Sequence, residues 1–313
     1  MSKLPQGKPQ NIKPLGGANK RVLALAAATG ASTIYGINHT LAKGVMPTYI
    51  GAYGFILLRV LGASLLFWLL SIFTKSEKID RADYWRFLGC AVFGMFVNML
   101  SFFKGLSLST PINSSVIITL SPVILLILSA LFLKERIGFI KILGILIGML
   151  GALVLVLFGA AEQPNAPNIP LGNVLFFVNG ATYAVYLILV KPISNKYSTI
   201  TLMKWLFLLG VFLNLPFTFT EFTSVDWLHL PPHAVWVMVF VVVGTTFSTY
   251  LLNLYALKTL KASTIGAFIY LQPVIAILFA VLVGADHLSW VRAGAAALIF
   301  LGVYLSTRTK KTA

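Results

Sequence analysis

Ten stretches of about twenty mostly apolar residues, each closed by a short charged or Pro/Gly-rich link, fill this chain and leave few folds open to it. Numbered as segments 1 to 10, they cover about 22–42, 48–73, 86–104, 110–133, 139–159, 170–191, 200–220, 233–257, 262–284 and 289–307. A bilayer core is about 30 Å thick, and roughly 20 helical residues rising 1.5 Å each cross it. A soluble fold has no interior large enough for ten such stretches. Only 10% of the 313 residues are charged, against about a quarter in a soluble domain. The expected fold is therefore all-α and integral to a membrane, with ten transmembrane helices. The longest links, around 74–85, 160–169 and 221–232, are too short for an extramembrane domain, so any activity must sit inside the bundle.

Charge placement orients the bundle. The net charge of +16 would suggest nucleic acid in a soluble chain, but here the basic residues sit in the links, where they set topology. With the N-terminus inside, twenty Lys and Arg fall on cytosolic stretches and three (Lys43, Lys104 and Arg292) on the far side. Arg59 is the remaining one and lies within segment 2. An even number of crossings returns the C-terminus to the cytosol as well. Residues 1–21 and 308–313 read as basic cytosolic tails, the first of them disordered. Segment 1 carries Thr, Tyr, Asn and His in its second half and no small-x-small site follows it, so it reads as a span rather than a cleaved leader. A lone cysteine, Cys90, precludes an internal disulfide.

The two halves repeat. A shift of 151 residues lays Thr119-Leu120-Ser121-Pro122-Val123-Ile124 on Tyr270-Leu271-Gln272-Pro273-Val274-Ile275 and pairs Glu135 with Asp286, Lys141 with Arg292, and Gly151 with Gly302. A shift of 148 pairs Tyr35 with Tyr183 and Lys43 with Lys191. Residues 22–159 and 170–307 thus form two five-helix units joined by a linker at 160–169. Five is odd, so the second unit must stand inverted, which also explains why Arg292 lies opposite to its counterpart Lys141. Inverted repeats are an architecture of alternating access, with the solute site at the repeat interface.

The stretches SPVILLILSALFLKERIGFIKILGILIGMLGALVLV and QPVIAILFAVLVGADHLSWVRAGAAALIFLGVYL resemble the two copies of the EamA domain of the drug/metabolite transporter superfamily: a mid-helix Pro, an acidic residue closing that helix, and a Gly-rich last helix. The second copy departs from the pattern with Asp286 where Glu is usual. The resemblance covers about 22–307 and implies a ten-helix metabolite or drug exporter of bacterial inner-membrane type, with no particular substrate.

Polar side chains are costly in a bilayer and tend to face a bundle interior or a wet cavity. In segment 1, Ser32, Tyr35, His39 and Lys43 recur at helical spacing beside Asn38; in segment 6, Asn179, Tyr183 and Tyr186 do the same. Segment 3 offers Gly94, Asn98 and Ser101, and segment 8 Thr246, Tyr250 and Asn253. Thr119, Ser121, Tyr270 and Gln272 flank the prolines of segments 4 and 9. The solute-binding set drawn from these stripes is Ser32, Tyr35, Asn38, His39, Arg59, Asn98, Thr119, Asn179, Tyr183, Tyr186, Asn253, Tyr270 and Gln272; the plain alternative is hydrogen bonding between helices. Pro122 and Pro273 each delete a helical hydrogen bond, giving either a hinge or a static kink. Arg59 has no intramembrane carboxylate to neutralise it, so it meets carbonyls, water or an anionic group of the solute. Without a buried Asp or Glu relay, a facilitator is favoured over a proton-driven pump, with His39 the one titratable alternative. Gly144 and Gly148 form a GxxxG surface for packing within the chain or between two copies, leaving monomer and homodimer open. Glu135 reads as part of a surface ion-pair cluster with its neighbours Lys134 and Arg136.

Enzyme classes fare poorly. The eight acidic residues are scattered rather than clustered for Mg²⁺, the four histidines do not cluster except for His229 and His233 across Pro231-Pro232, and no P-loop or Gly-x-Ser-x-Gly is present. No metal site and no cofactor are expected. The expected partners are a small-molecule solute and the lipid bilayer, with no nucleic acid. A cavity of Tyr, Asn, Thr and one Arg suits amino acids or similar zwitterions. Organic cations or nucleotide-sugars are the alternatives within the same fold.

Overall fold

A computed structural model describes residues 17–75, 77–109, 117, 120–135, 137–159, 168–282 and 290–307. Every described element is a helix, and helix occupies each of the ten apolar segments. Five helical stretches are long and apolar enough to cross a membrane, Ala52–Ile72, Arg81–Gly105, Ile169–Lys196, Thr199–Thr223 and Pro232–Thr259, and shorter apolar helices accompany them. Large apolar side chains such as Leu65, Leu131, Phe212 and Trp236 are exposed on the outside of the bundle, where a soluble protein would carry polar residues.

Segment 1 begins at Gly17 and runs to Val45, five residues earlier than the expected end of the tail. Ala18, Lys20 and Arg21 are good helix formers, so the basic end of the tail extends the helix instead of leaving it. Residues 1–16, most of the 160–169 linker and the tail 308–313 lie outside the described residues, as do Thr119, Asp286 and the side chains of His39, Lys43, Pro273 and Arg292.

The contacts between segments carry the repeat. Segment 5 packs on segment 10, and segment 2 on segment 7; segment 3 packs on segment 6 as segment 1 does on segment 8, and segment 4 on segment 6 as segment 1 does on segment 9. Exchanging the two halves maps this list onto itself. The third helix of each unit also departs from α-geometry at matching places: a π-helical stretch covers Val92–Phe96 in segment 3 and Phe240–Ser248 in segment 8, starting 148 residues apart.

The GxxxG surface is used within the chain. A Cβ on Gly144 would meet the Gly302 carbonyl at 2.8 Å, and one on Gly302 would meet the Gly148 nitrogen at 2.5 Å. Segments 5 and 10 therefore touch backbone to backbone, an approach that only small residues permit.

Carboxylates from links and helix ends close helices in the opposite half. Glu221, near the end of segment 7, accepts from Tyr53 N at 2.6 Å and Gly54 N at 3.0 Å, the first turn of segment 2. That helix has no cap of its own, because its N-cap is Gly51. A Cβ at Gly51 would fall on the Glu221 carboxylate, so glycine there leaves the space that the cap occupies. Reciprocally, Glu77 after segment 2 accepts from Ser198 N at 2.9 Å at the start of segment 7. Lys134, at φ 50°, ends the helix of segment 4 in the left-handed region and turns the chain so that Glu135 accepts from Ala262 N at 2.9 Å at the start of segment 9. Glu135 is thus a helix cap paired with Lys141 at 3.9 Å, a correction to the surface cluster expected with Lys134. The free N–H groups of a helix start attract a carboxylate more strongly than solvated lysines do.

Candidate functional site

Prolines stand in the first turn of two helices, one in each half. Segment 9 is a helix over Ala262–Phe268, a turn at Ile269–Tyr270, and a second helix over Leu271–Leu282. Pro273 has no N–H for the Ile269 carbonyl, and Gln272 N bonds that carbonyl instead at 3.1 Å. This leaves the Phe268 carbonyl without its helical donor, and the Ser32 hydroxyl of segment 1 supplies one at 2.9 Å. In segment 4 the helix likewise starts at Ser121 with Pro122 in its first turn. Pro273 thus marks a real discontinuity, and each proline-bearing helix is set against the first helix of the opposite unit: Gly36 leaves room for Ile275 and the Gln272 carbonyl, and Gly180 for the Ser121 hydroxyl.

Segments 1, 6 and 8 enclose a small cavity lined by Tyr35, Tyr183, Tyr186, Leu187, Tyr250, Asn253, Leu254 and Leu257. The space open to the centre of a water-sized sphere is about 10 Å³, room for about one water molecule. The aromatic rings form a chain: Tyr183 to Tyr186 at 6.1 Å, Tyr186 to Tyr250 at 6.3 Å, and Tyr250 edge-on to Phe207 at 5.0 Å. Gly94, in the π-helical stretch of segment 3, lets the Tyr186 ring lie where a Cβ would stand 2.5 Å from it.

Arg59 adjoins this cavity from segment 2 and is buried, at 8% exposure. Its Nε donates to Thr246 Oγ1 at 3.0 Å, and its guanidinium carbon lies 5.6 Å from the centre of the Phe103 ring. Tyr35 and Tyr250 are close enough to interact with its charge. Among the described residues no carboxylate comes within ion-pair distance of it. Thr246 is held in turn by donating to the Val241 carbonyl at 2.8 Å, a five-residue reach within the π-helical stretch. The wider turn thereby positions the arginine's acceptor.

The sequence-derived set divides. Tyr35, Tyr183, Tyr186 and Asn253 line the cavity, with Arg59 next to them. Asn98 and Asn179 clamp segments 3 and 6 together, each side-chain amide donating to the other's backbone carbonyl at 2.8 and 2.9 Å. Asn38 accepts from Thr245 at 3.0 Å and ties segment 1 to segment 8. Ser32 holds the break in segment 9. Tyr270 is buried there against Gly148, away from the cavity wall, and Gln272 is half-buried. His39 and Thr119 fall outside the described side chains. Tyr250, Leu187, Leu254 and Leu257 line the cavity without belonging to the set. Tyr250 stands in the polar stripe of segment 8 and was legible there; the leucines carry no signal that separates them from other apolar positions.

A second, wider recess of about 250 Å³ is lined by Tyr53, Leu100, Ser101, Lys104, Leu175 and Phe217. It lies toward the end where segment 2 begins. No group of three or more His, Cys, Asp or Glu able to hold a metal occurs among the described residues.

Comparison with known proteins agrees with this architecture. The model of the EamA-like transporter family matches residues 22–157 and 170–308, one copy on each repeat. An uncharacterized transporter of Archaeoglobus fulgidus is 30% identical over 253 residues, covering 81% of this chain and 87% of the relative. The uncharacterized transporter YetK of Bacillus subtilis is 25% identical over 304 residues, covering 96% and 89%. A protein crystal structure superposes with a TM-score of 0.76 at 16% identity, over 93% of this chain and 96% of its own; that likeness concerns the fold.

Proposed function

The chain belongs to the EamA-like transporter family, and on that premise we propose that it exports small zwitterionic metabolites, amino acids foremost, by alternating access around the Arg59–tyrosine cavity. It is a multi-pass membrane transporter and not an enzyme. In this reading it crosses the bacterial inner membrane ten times with both termini in the cytosol, as the twenty-to-three split of basic residues favours. The proline-bearing helices of segments 4 and 9 act as hinges, and one end of the bundle opens as the other closes.

The observation that carries the reading is Arg59: a buried guanidinium with one protein acceptor and no counter-carboxylate among the described residues, beside a wall of four tyrosines. A buried charge requires a partner, and a solute carboxylate fits its planar fork. The solute's ammonium would then rest against tyrosine faces, which attract cations. A free organic cation would instead meet the like charge of Arg59 with no carboxylate to offset it. Because none of the described residues places a carboxylate within ion-pair distance of Arg59, transport in this reading is facilitated and follows the solute gradient. The nearly closed cavity corresponds to a resting state that must open to admit a solute.

Proteoliposomes preloaded with a mixed metabolite pool provide the test, with efflux read by mass spectrometry against Arg59→Ala and empty liposomes. Selective loss of amino acids without an imposed pH gradient is expected. Equal release by Arg59→Ala would reduce Arg59 to a structural role, and no selective efflux under any gradient would sink the amino-acid reading.

A further inference from the structure

Where the end of segment 2 packs on the start of segment 7, Lys204 lies nine-tenths buried at 9% exposure. Its ammonium stands 4.9 Å from the centre of the Trp68 ring, and among the described residues it has no hydrogen-bond acceptor and no acid. Trp68 is itself unsatisfied, because its indole N–H is buried without an acceptor. Trp205 packs edge-on against it at 5.3 Å. The indole N–H is thus a buried donor with no acceptor, a situation that native structures resolve with an ordered water or ion. The Lys204 ammonium beside it also has no acceptor among the described residues but is not sealed from the surface.

The surroundings select among acceptors. Lys204 is the sixth residue of the helix Thr199–Thr223, and Trp68 stands four residues before the end of Ala52–Ile72. Both are roughly 7 Å inside their helix ends, the depth at which aromatic and basic side chains meet lipid headgroups. On the same face of segment 2, three residues before Trp68 and four after it, Leu65 and Ile72 are 61% and 73% exposed, a surface for acyl chains. Beyond them Lys75, Lys78 and Arg81 alternate with Glu77, Asp80 and Asp83, so the link is balanced in charge and Lys204 is the cation that faces the seam. A water would satisfy the N–H, but it would leave the ammonium uncompensated beside lipid.

We propose that Lys204 and the Trp68 N–H form a binding site for the phosphodiester of an anionic phospholipid, seated in the seam between segments 2 and 7. The site is independent of what the central cavity carries. Segments 2 and 7 pack against each other across the two halves, so a lipid held in their seam bridges the repeats.

Native mass spectrometry of the full-length protein in detergent tests this, with phosphatidylglycerol and phosphatidylcholine of matched chains offered together. Preferential retention of phosphatidylglycerol is expected, falling about fivefold in Lys204→Met, the effect of one basic residue near a charged headgroup. Trp68→Phe, which keeps a ring and loses the N–H, lowers it in part; Lys204→Arg preserves it, and Lys75→Met in the exposed link leaves it unchanged. Retention in Lys204→Met and Trp68→Phe equal to the parent protein's overturns the proposal. So does displacement of the lipid by excess inorganic phosphate, which would mark a site for the free ion.

Discussion

At the scale of single residues, the arginine depends on its neighbour as much as on its own charge. Thr246 is the hydrogen-bond acceptor that holds the Arg59 Nε, and a hydrogen bond to a charged group contributes about 1.5–3 kcal/mol. Thr246→Val keeps the shape and removes the acceptor, so it lowers solute affinity about tenfold or more while the protein still folds. Equilibrium binding of the solute found in the efflux assay, compared with melting temperature, checks this. Glu77 sets a pH dependence of a different kind. Burial alone would raise its carboxyl, but the Ser198 N–H, the Ser198 and Thr201 hydroxyls and the Lys258 charge together hold it below the usual carboxylate range. A depressed folded-state value stabilises the protein above the unfolded value of about 4.3 and ceases to do so as pH falls through the folded value. Thermal stability in detergent should therefore be flat from neutral pH to about 5 and decline below about 4, with a shallower decline in Glu77→Gln.

At the scale of elements, the bundle is held by close backbone contacts and by caps exchanged between halves. Gly302 lies against the Gly148 nitrogen and the Gly144 carbonyl at 2.5 and 2.6 Å from where a Cβ would stand. Backbone cannot yield as a flexible side chain does, so Gly302→Ala forces segments 5 and 10 apart at a cost of about 1–3 kcal/mol. Its melting midpoint falls by several degrees, whereas Gly44→Ala, with nothing within 4 Å of the added methyl, leaves it unchanged or raises it. The repeat sequence announced the prolines but not their consequence. Loss of the Pro273 N–H breaks segment 9 before the proline, at Ile269–Tyr270, and the exposed carbonyl is satisfied from another helix by Ser32.

At the scale of the whole molecule, the symmetric contacts and the offset π-helical stretches fit two units of one design, and inversion of the second remains to be measured. With the buried Cys90 replaced by alanine, single cysteines at Lys78 and Asp226 should react oppositely with an impermeant maleimide. Asp226 is labelled on intact cells and Lys78 only after permeabilisation; the reverse pattern would place the termini outside. The apolar runs, the repeat, the paired prolines and the polar faces of segments 1 and 6 were all readable in the chain, because membrane insertion and local backbone chemistry act on contiguous residues. Tyr35, Tyr183, Tyr186 and Asn253 accordingly reached the cavity from helical spacing alone. Spacing was silent on which polar groups bind each other. Asn98 and Asn179 are consumed in one clamp, Glu135 caps a helix that starts 127 residues away, and Arg59 finds Thr246 on segment 8. Those pairings depend on which helix faces meet and on unsatisfied N–H and C=O groups seeking the nearest partner in three dimensions, so only the tertiary structure decided them.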